Sequence, residues 1–169
     1  AETRGPETGE VPLEHYLQVI ADKTGSLIAA SALFGAMIAG APQGIRDALA
    51  AYGEEVGLVF QLSDDIIDIT SDVAGKTPGT DLREGVPTLP TLLLEASNDP
   101  ADQPLKDLLD DAVLAEALAA LRIHPVIEKA RVEVRRHADL ARQHLAPLPE
   151  GQVKQLLLQV CDDLVERSA

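Results

Sequence analysis

Tryptophan is absent, cysteine occurs once, and aromatic residues make up only 2% of the 169 residues. The lone Cys161 excludes an internal disulfide and any multi-cysteine zinc site, and fits a reducing, cytoplasmic setting. With so few aromatics the core must be built from Ala, Leu, Ile and Val, a palette better suited to packed helices than to a sheet. Positive charge is scarce as well: 14 Lys and Arg stand against 28 Asp and Glu, for a formal net charge of −14. So acidic a surface repels nucleic acid and anionic membrane, and no nucleic-acid partner is expected. The opening AETRGPETGEVP has neither an initiator Met nor a hydrophobic signal stretch, so processing or truncation is expected to have produced this N-terminus. The longest uncharged run, Gly25 to Ile45, approaches the roughly 20 residues that a bilayer needs. It is rich in Gly, Ala and Ser and contains Pro42 and Gln43. A buried helix among other helices is therefore expected there, and no transmembrane segment.

What is present is a chain of one domain's length with 46% hydrophobic residues, enough for a real core. Residues 1–11 read as a polar tail or linker, and 12–169 as a helical domain. Leu13, Leu17, Ile20, Leu27, Ala30 and Phe34 recur at helical spacing up to Gly40. A second long helix is predicted from Pro42 to about Ile69. Residues 73–87, punctuated by Gly75, Pro78, Gly79, Gly85 and Pro87, read as a loop. Helices follow over about 88–96, 105–121, 126–145 and 152–167, with a turn at SNDPADQP and breaks at His124-Pro125 and at APLPEG. No alternating strand pattern and no fixed-period repeat is found. The expected fold is an all-α helical bundle.

Within it, FQLSDDIIDITSDVAGKTPGTDLREGVPTLP places Asp64, Asp65, Asp68 and Asp72 within nine residues of a helix that otherwise looks buried. Carboxylates this close repel one another unless water, a basic partner or a bound cation intervenes. Asp64 and Asp68 stack one turn, about 6 Å, apart on one face, with Asp72 continuing the stripe and Gln61 preceding it, while Asp65 points about 100° away. A solvated helix face accounts for such a stripe. So does a Mg²⁺ site, because that ion takes one or two carboxylates, keeps several waters, and completes its octahedron with substrate phosphates. Lys76 follows in a Gly-Pro-rich segment able to close over a phosphate. Lys23, beside Thr24 in ADKTGSL, is expensive inside an apolar helix unless it meets an anion or snorkels to solvent.

The order and spacing of these residues resemble the second aspartate-rich region of the trans-prenyl (polyprenyl) diphosphate synthases. That family's F-Q-x-x-D-D-x-x-D followed by G-K-x-x-G-x-D-L-x-x-G-x-x-T-L-P is matched by Phe60, Gln61, Asp64, Asp65, Asp68, Gly75, Lys76, Gly79, Asp81, Leu82, Gly85, Thr88, Leu89 and Pro90. Upstream, Lys23 and Thr24 fall at the positions of the family's Lys-Thr helix, and the last helix is similar to the family's C-terminal one. Val86 stands where many members have Lys. The resemblance implies the C-terminal half of an isoprenoid synthase fold, without the first aspartate-rich motif or the isopentenyl diphosphate pocket.

The activity it implies is Mg²⁺-dependent head-to-tail condensation of isopentenyl diphosphate with an allylic diphosphate, this chain alone being inactive. The alternative is a non-catalytic or complementary subunit of a heteromeric synthase. Asp64, Asp65 and Asp68 would hold the metal, with Asp65 the weaker ligand. Lys23, Gln61 and Lys76 would contact the diphosphate, and Lys23, Thr24 and Gln61 would act in catalysis. Partners implied are both diphosphates and either an oligomer or the missing N-terminal half. Among other polar groups, His137 and His144 read as a surface stripe instead of a zinc pair. Arg131, Arg135 and Arg136 read as internally paired, and Cys161 as a small core residue.

Overall fold

The computed structural model describes residues 6, 9, 11–71, 78–110 and 112–169, and every regular element among them is helical. The order is α1 (Pro12–Ile20), a π turn (Ala21–Gly25), α2 (Ser26–Ile38), α3 (Gln43–Thr70), α4 (Thr80–Glu84), α5 (Leu89–Glu95), a 3₁₀ turn (Pro100–Asp102), α6 (Gln103–Asp110), α7 (Leu114–Ile123), α8 (Pro125–His144) and α9 (Gln152–Glu166).

The bundle is organised around α3, a 28-residue helix about 42 Å long. It packs against α2 on one side and α8 on the other, with α9, α5 and α7 along its length. Val56, Val59, Leu62, Ile66 and Ile69 of α3 meet Val126, Ala130, Val134, Ala138 and Ala141 of α8 in one core. The small residues of α8 let the two helices approach closely. Approach is closest where α3 meets the π turn and α2. A Cβ at Gly57 would stand 2.5 Å from the Gly25 Cα, and one at Gly53 2.7 Å from the Ala29 Cα. Backbone therefore rests on backbone here, fixing Lys23 and Thr24 beside the turn of α3 that precedes Gln61. The C-terminal end of α3 is held by Arg122, whose guanidinium donates to the carbonyls of Ile69 and Ser71 at 2.8 and 3.3 Å.

Four expectations need correction. The run beginning at Gly25 is helical to Ile38 but is not buried. Of α2 only Ala36 is buried, while Leu27, Phe34, Met37 and Ile38 are 69%, 59%, 48% and 89% exposed. The inward side of α2 is rich in small residues and rests on α3, with Ile28 packed against the core, while these four bulky residues point outward. Among the described residues, one helical stretch, Pro12–Ile38 at mean hydropathy 1.2, is long and apolar enough to cross a membrane by length and composition.

The loop expected over 73–87 contains a one-turn helix, α4, framed by Gly79 and Gly85 at φ 70° and 67°. The left-handed conformation is nearly cost-free for glycine, and each glycine stops the turn where it stands. Residues 72–77 lie outside the described residues. The helix expected over 105–121 is two helices, α6 and α7, separated at Ala112, whose φ is 55°. Finally, His137 is no surface residue: only 6% exposed, it bonds Glu55 through Nδ1 at 2.7 Å, with the Arg136 guanidinium at 2.8 Å from Nε2.

The arginines behave as read. Arg135 and Arg136 pair with Glu128 and Glu133 at 2.6 and 2.8 Å, and Arg131 lies 3.6 Å from Glu128. Cys161 is a free, buried core thiol.

Candidate functional site

Helical periodicity brings Gln61, Asp64 and Asp68 to one side of α3. With Ile67, Ser71, Pro78 and Asp81 they line a cleft of about 280 Å³. Its far wall is α4, held there by Asp68 itself. The two oxygens of the Asp68 carboxylate accept the backbone amides of Thr80 and Asp81, each at 3.2 Å, and its main-chain carbonyl accepts the Gly79 amide at 2.8 Å. The carboxylate thus satisfies donors at the start of α4 while fixing Asp81 across from Asp64.

Asp81 carries the electrostatic signature of the cleft. Burial raises its pKa above the ordinary carboxylate value, and the charges of Asp68, Glu84 and Asp64 raise it further. Lys23 acts in the opposite sense, its positive charge reaching Asp81 from the π turn. π turns are rare and concentrate at functional sites. The cleft is therefore a concentration of negative charge with a lysine in electrostatic reach. Among the described residues, no three His, Cys, Asp or Glu side chains converge into a set able to hold a metal ion by themselves. The donors present are hard oxygens, too few to enclose an ion.

Asp65, expected among the metal ligands, is turned away from the cleft. It is 2% exposed. Its Oδ2 accepts both the Tyr16 hydroxyl of α1 and the Leu89 amide of α5, the latter at 2.7 Å, and its Oδ1 faces Gln61 Nε2 at 3.5 Å. Burial pushes its carboxyl up to about 6, against the lowering effect of these three donors. The reason is the rotation between consecutive helical residues: if Asp64 and Asp68 face the cleft, Asp65 faces the α1–α3–α5 junction.

Asp64 has a partner that local sequence could not reveal. Arg167, at the end of α9 and 103 positions away, forms an ion pair with Asp64 Oδ1 and lays its guanidinium over the Phe60 ring, 4.9 Å from the centroid. The following residue, Ser168, is 3% exposed, and its carbonyl accepts from Arg131 Nε at 2.8 Å. The end of the chain is thus held at the mouth of the cleft. Thr24 is half-buried, its backbone against Gly57. Lys76 and Asp72 lie outside the described residues. Three residues of the site were not assigned from sequence. Asp81 was visible as part of the G-x-D-L pattern, whereas Tyr16 and Arg167 act across 49 and 103 positions and leave no local signal.

The polyprenyl synthetase family model matches residues 3–121. A nonaprenyl diphosphate synthase of Mycobacterium tuberculosis is 42% identical over 173 residues, covering 98% of this chain and 52% of that protein. Heptaprenyl diphosphate synthase component 2 of Geobacillus stearothermophilus is 37% identical, over 86% of this chain and 47% of that protein. The crystal structure of a geranylgeranyl pyrophosphate synthase from Corynebacterium glutamicum, complexed with calcium and isoprenyl diphosphate, superposes with a TM-score of 0.87 at 41% identity, over 96% of this chain and 53% of that one. The chain spans about half the length of the relatives it matches. With the all-helical architecture and the aspartate motif in place, the chain belongs to the polyprenyl synthetase family.

Proposed function

We propose that this chain is the leaving-group half of a prenyl diphosphate synthase: it binds the diphosphate of an allylic substrate through Mg²⁺ during condensation with isopentenyl diphosphate. The observation that carries the reading is the cleft, lined also by Gln61, in which the charges of Asp64 and Asp68 repel that of Asp81 while Lys23 acts on the same carboxylate in the opposite sense. Asp64 and Asp68 would hold the cation, in a cleft that Asp81 also lines. A Mg²⁺ ion held there would supply the positive charge that stabilises a leaving pyrophosphate. Lys23 and Lys76 contact those oxygens. Gln61 and Thr24 present neutral dipoles near the allylic carbon, where a full anion would capture the carbocation. Asp65 supports this arrangement from behind by tying α3 to α1 and α5.

The activity belongs to an assembly larger than this chain. The relatives are about twice as long, and the outward face of α2, with Val153 and Leu156 of α9 at 68% and 59% exposure, offers apolar surface for the remainder of the fold. A cytoplasmic setting accords with the free Cys161. The similarity to a component of a heptaprenyl synthase favours a second form of the reading, in which this chain is one subunit of a heteromeric enzyme. The test is calorimetric titration with an unreactive thiolo analogue of an allylic diphosphate, alongside a transfer assay with labelled isopentenyl diphosphate. The expected result is analogue binding that requires Mg²⁺, with no product formed by the chain alone. Binding indifferent to Mg²⁺ contradicts the leaving-group assignment, and product formation contradicts the need for a partner.

A further inference from the structure

We infer that Arg167 is a resident counter-ion of Asp64, a built-in occupant that an incoming divalent cation must displace, and thereby a determinant of the affinity of the cleft for that cation. The inference rests on the assignment of Asp64 as a cation ligand. It does not follow from that assignment, since nothing about a metal site requires a nearby guanidinium.

Four observations support it. The guanidinium pairs with Oδ1 of Asp64, a carboxylate that lines the cleft where a cation would bind. It is not a loose surface arginine, because it stacks on Phe60 at 4.9 Å. Its backbone has little freedom to withdraw, since the neighbouring Ser168 is buried and Arg131 grips the Ser168 carbonyl. The side chains of Arg167 and Asp64 are 34% and 38% exposed, so the pair is weak enough to open. A guanidinium and a hydrated divalent ion cannot occupy the same carboxylate lone pairs. An ion bound through Oδ1 displaces Arg167, and one bound through Oδ2 meets its like charge beside the same carboxylate, so binding costs the ion pair and the stacking contact. In exchange it leaves a freed cation at the rim of a cleft that is to receive an anion.

The experiment is titration of the full chain with Mn²⁺ alone, read by electron paramagnetic resonance of the free ion, for wild type and for Arg167→Gln, Phe60→Leu, Arg135→Gln and Asp64→Asn. Opening a half-exposed pair reinforced by stacking corresponds to about three- to thirty-fold in affinity. Arg167→Gln is expected to bind Mn²⁺ more tightly by that factor, and Phe60→Leu more tightly by a smaller one. Arg135→Gln removes the same charge from the Glu128 pair and is expected to change little. An unchanged or weakened affinity in Arg167→Gln overturns the inference. Equal tightening in Arg135→Gln also overturns it, by showing a general effect of net charge. Unaltered Mn²⁺ binding in Asp64→Asn instead brings down the ligand assignment on which the inference rests.

Discussion

The Asp65 carboxylate and the Leu89 amide, 24 positions apart, are joined by a 2.7 Å hydrogen bond buried where α1, α3 and α5 meet. The same oxygen takes the Tyr16 hydroxyl. One carboxylate thus joins three helices directly behind the residues of the cleft, and a motif position that reads as a ligand serves as a fastening.

That burial has a consequence for pH. The Asp65 carboxyl lies at about 6 in the folded chain against an ordinary value of 3.8, so between these values the folded state holds the proton more tightly than the unfolded state. Folding stability attributable to this group is therefore greatest below about pH 4, declines as pH rises through 6, and is then constant. The two-unit shift corresponds to roughly 3 kcal/mol. Urea unfolding of wild type and Asp65→Asn across pH 4 to 7 isolates the effect. The stability of wild type relative to the variant is expected to fall as pH rises through this window, and a relative stability that climbs instead contradicts the burial argument.

The contact between α3 and the π turn tolerates no added carbon. In Gly57→Ala the new Cβ would meet the Gly25 Cα at 2.5 Å, and backbone can yield only by moving the helices apart. A loss of about 2–3 kcal/mol is expected, together with weaker diphosphate binding as the π turn carries the charge of Lys23 away from Asp81. Gly35→Ala, where nothing lies within 4 Å, is expected to be neutral or to stabilise by up to about 1 kcal/mol. Equal effects of the two substitutions would argue that the close approach has no structural importance.

His137 and Glu55 form a second interhelical tie, between α8 and α3, at 2.7 Å. Glu55→Leu leaves a buried imidazole without its acceptor and is expected to cost about 1–3 kcal/mol. The double variant Glu55→Leu/His137→Leu should recover part of that loss. Chemical denaturation checks both, and additive losses in the double variant would mean that the two side chains act independently.

The outward face of α2 should govern association. Replacing Leu27, Phe34 and Ile38 by Ser removes the most exposed apolar side chains of the helix and should leave the core untouched. Sedimentation velocity is expected to show a shift toward monomer with the unfolding midpoint preserved. Unaltered association would place the contact surface elsewhere.

Much of this was legible in the sequence, for reasons that can be given residue by residue. Helix positions followed from apolar spacing and from Gly and Pro punctuation, because those signals act within a few residues of themselves. The stacking of Asp64 on Asp68 followed from helical geometry alone. What escaped was set by tertiary contacts. The exposure of Phe34 depends on what packs beside α2, and the buried pair of His137 depends on Glu55, 82 positions away. The break at Ala112 interrupts a pattern whose apolar residues continue on both sides. The π turn at Lys23 adds a residue to a helical turn without changing the composition that suggests a helix. Asp65 was the instructive case: its place in the motif suggested a ligand, whereas its angular position on α3 already directed it to the core.

The central claim is that the carboxylates of the cleft bind a diphosphate through a shared cation. Isothermal titration of the chain with inorganic pyrophosphate, with Mg²⁺ and again with Mg²⁺ removed by chelation, tests it most directly. The account predicts binding only when Mg²⁺ is present, lost or weakened at least about tenfold in Asp64→Asn and Asp68→Asn, the cost expected from removing one charged ligand. Pyrophosphate binding of equal strength without Mg²⁺, or undiminished in both variants, would contradict it.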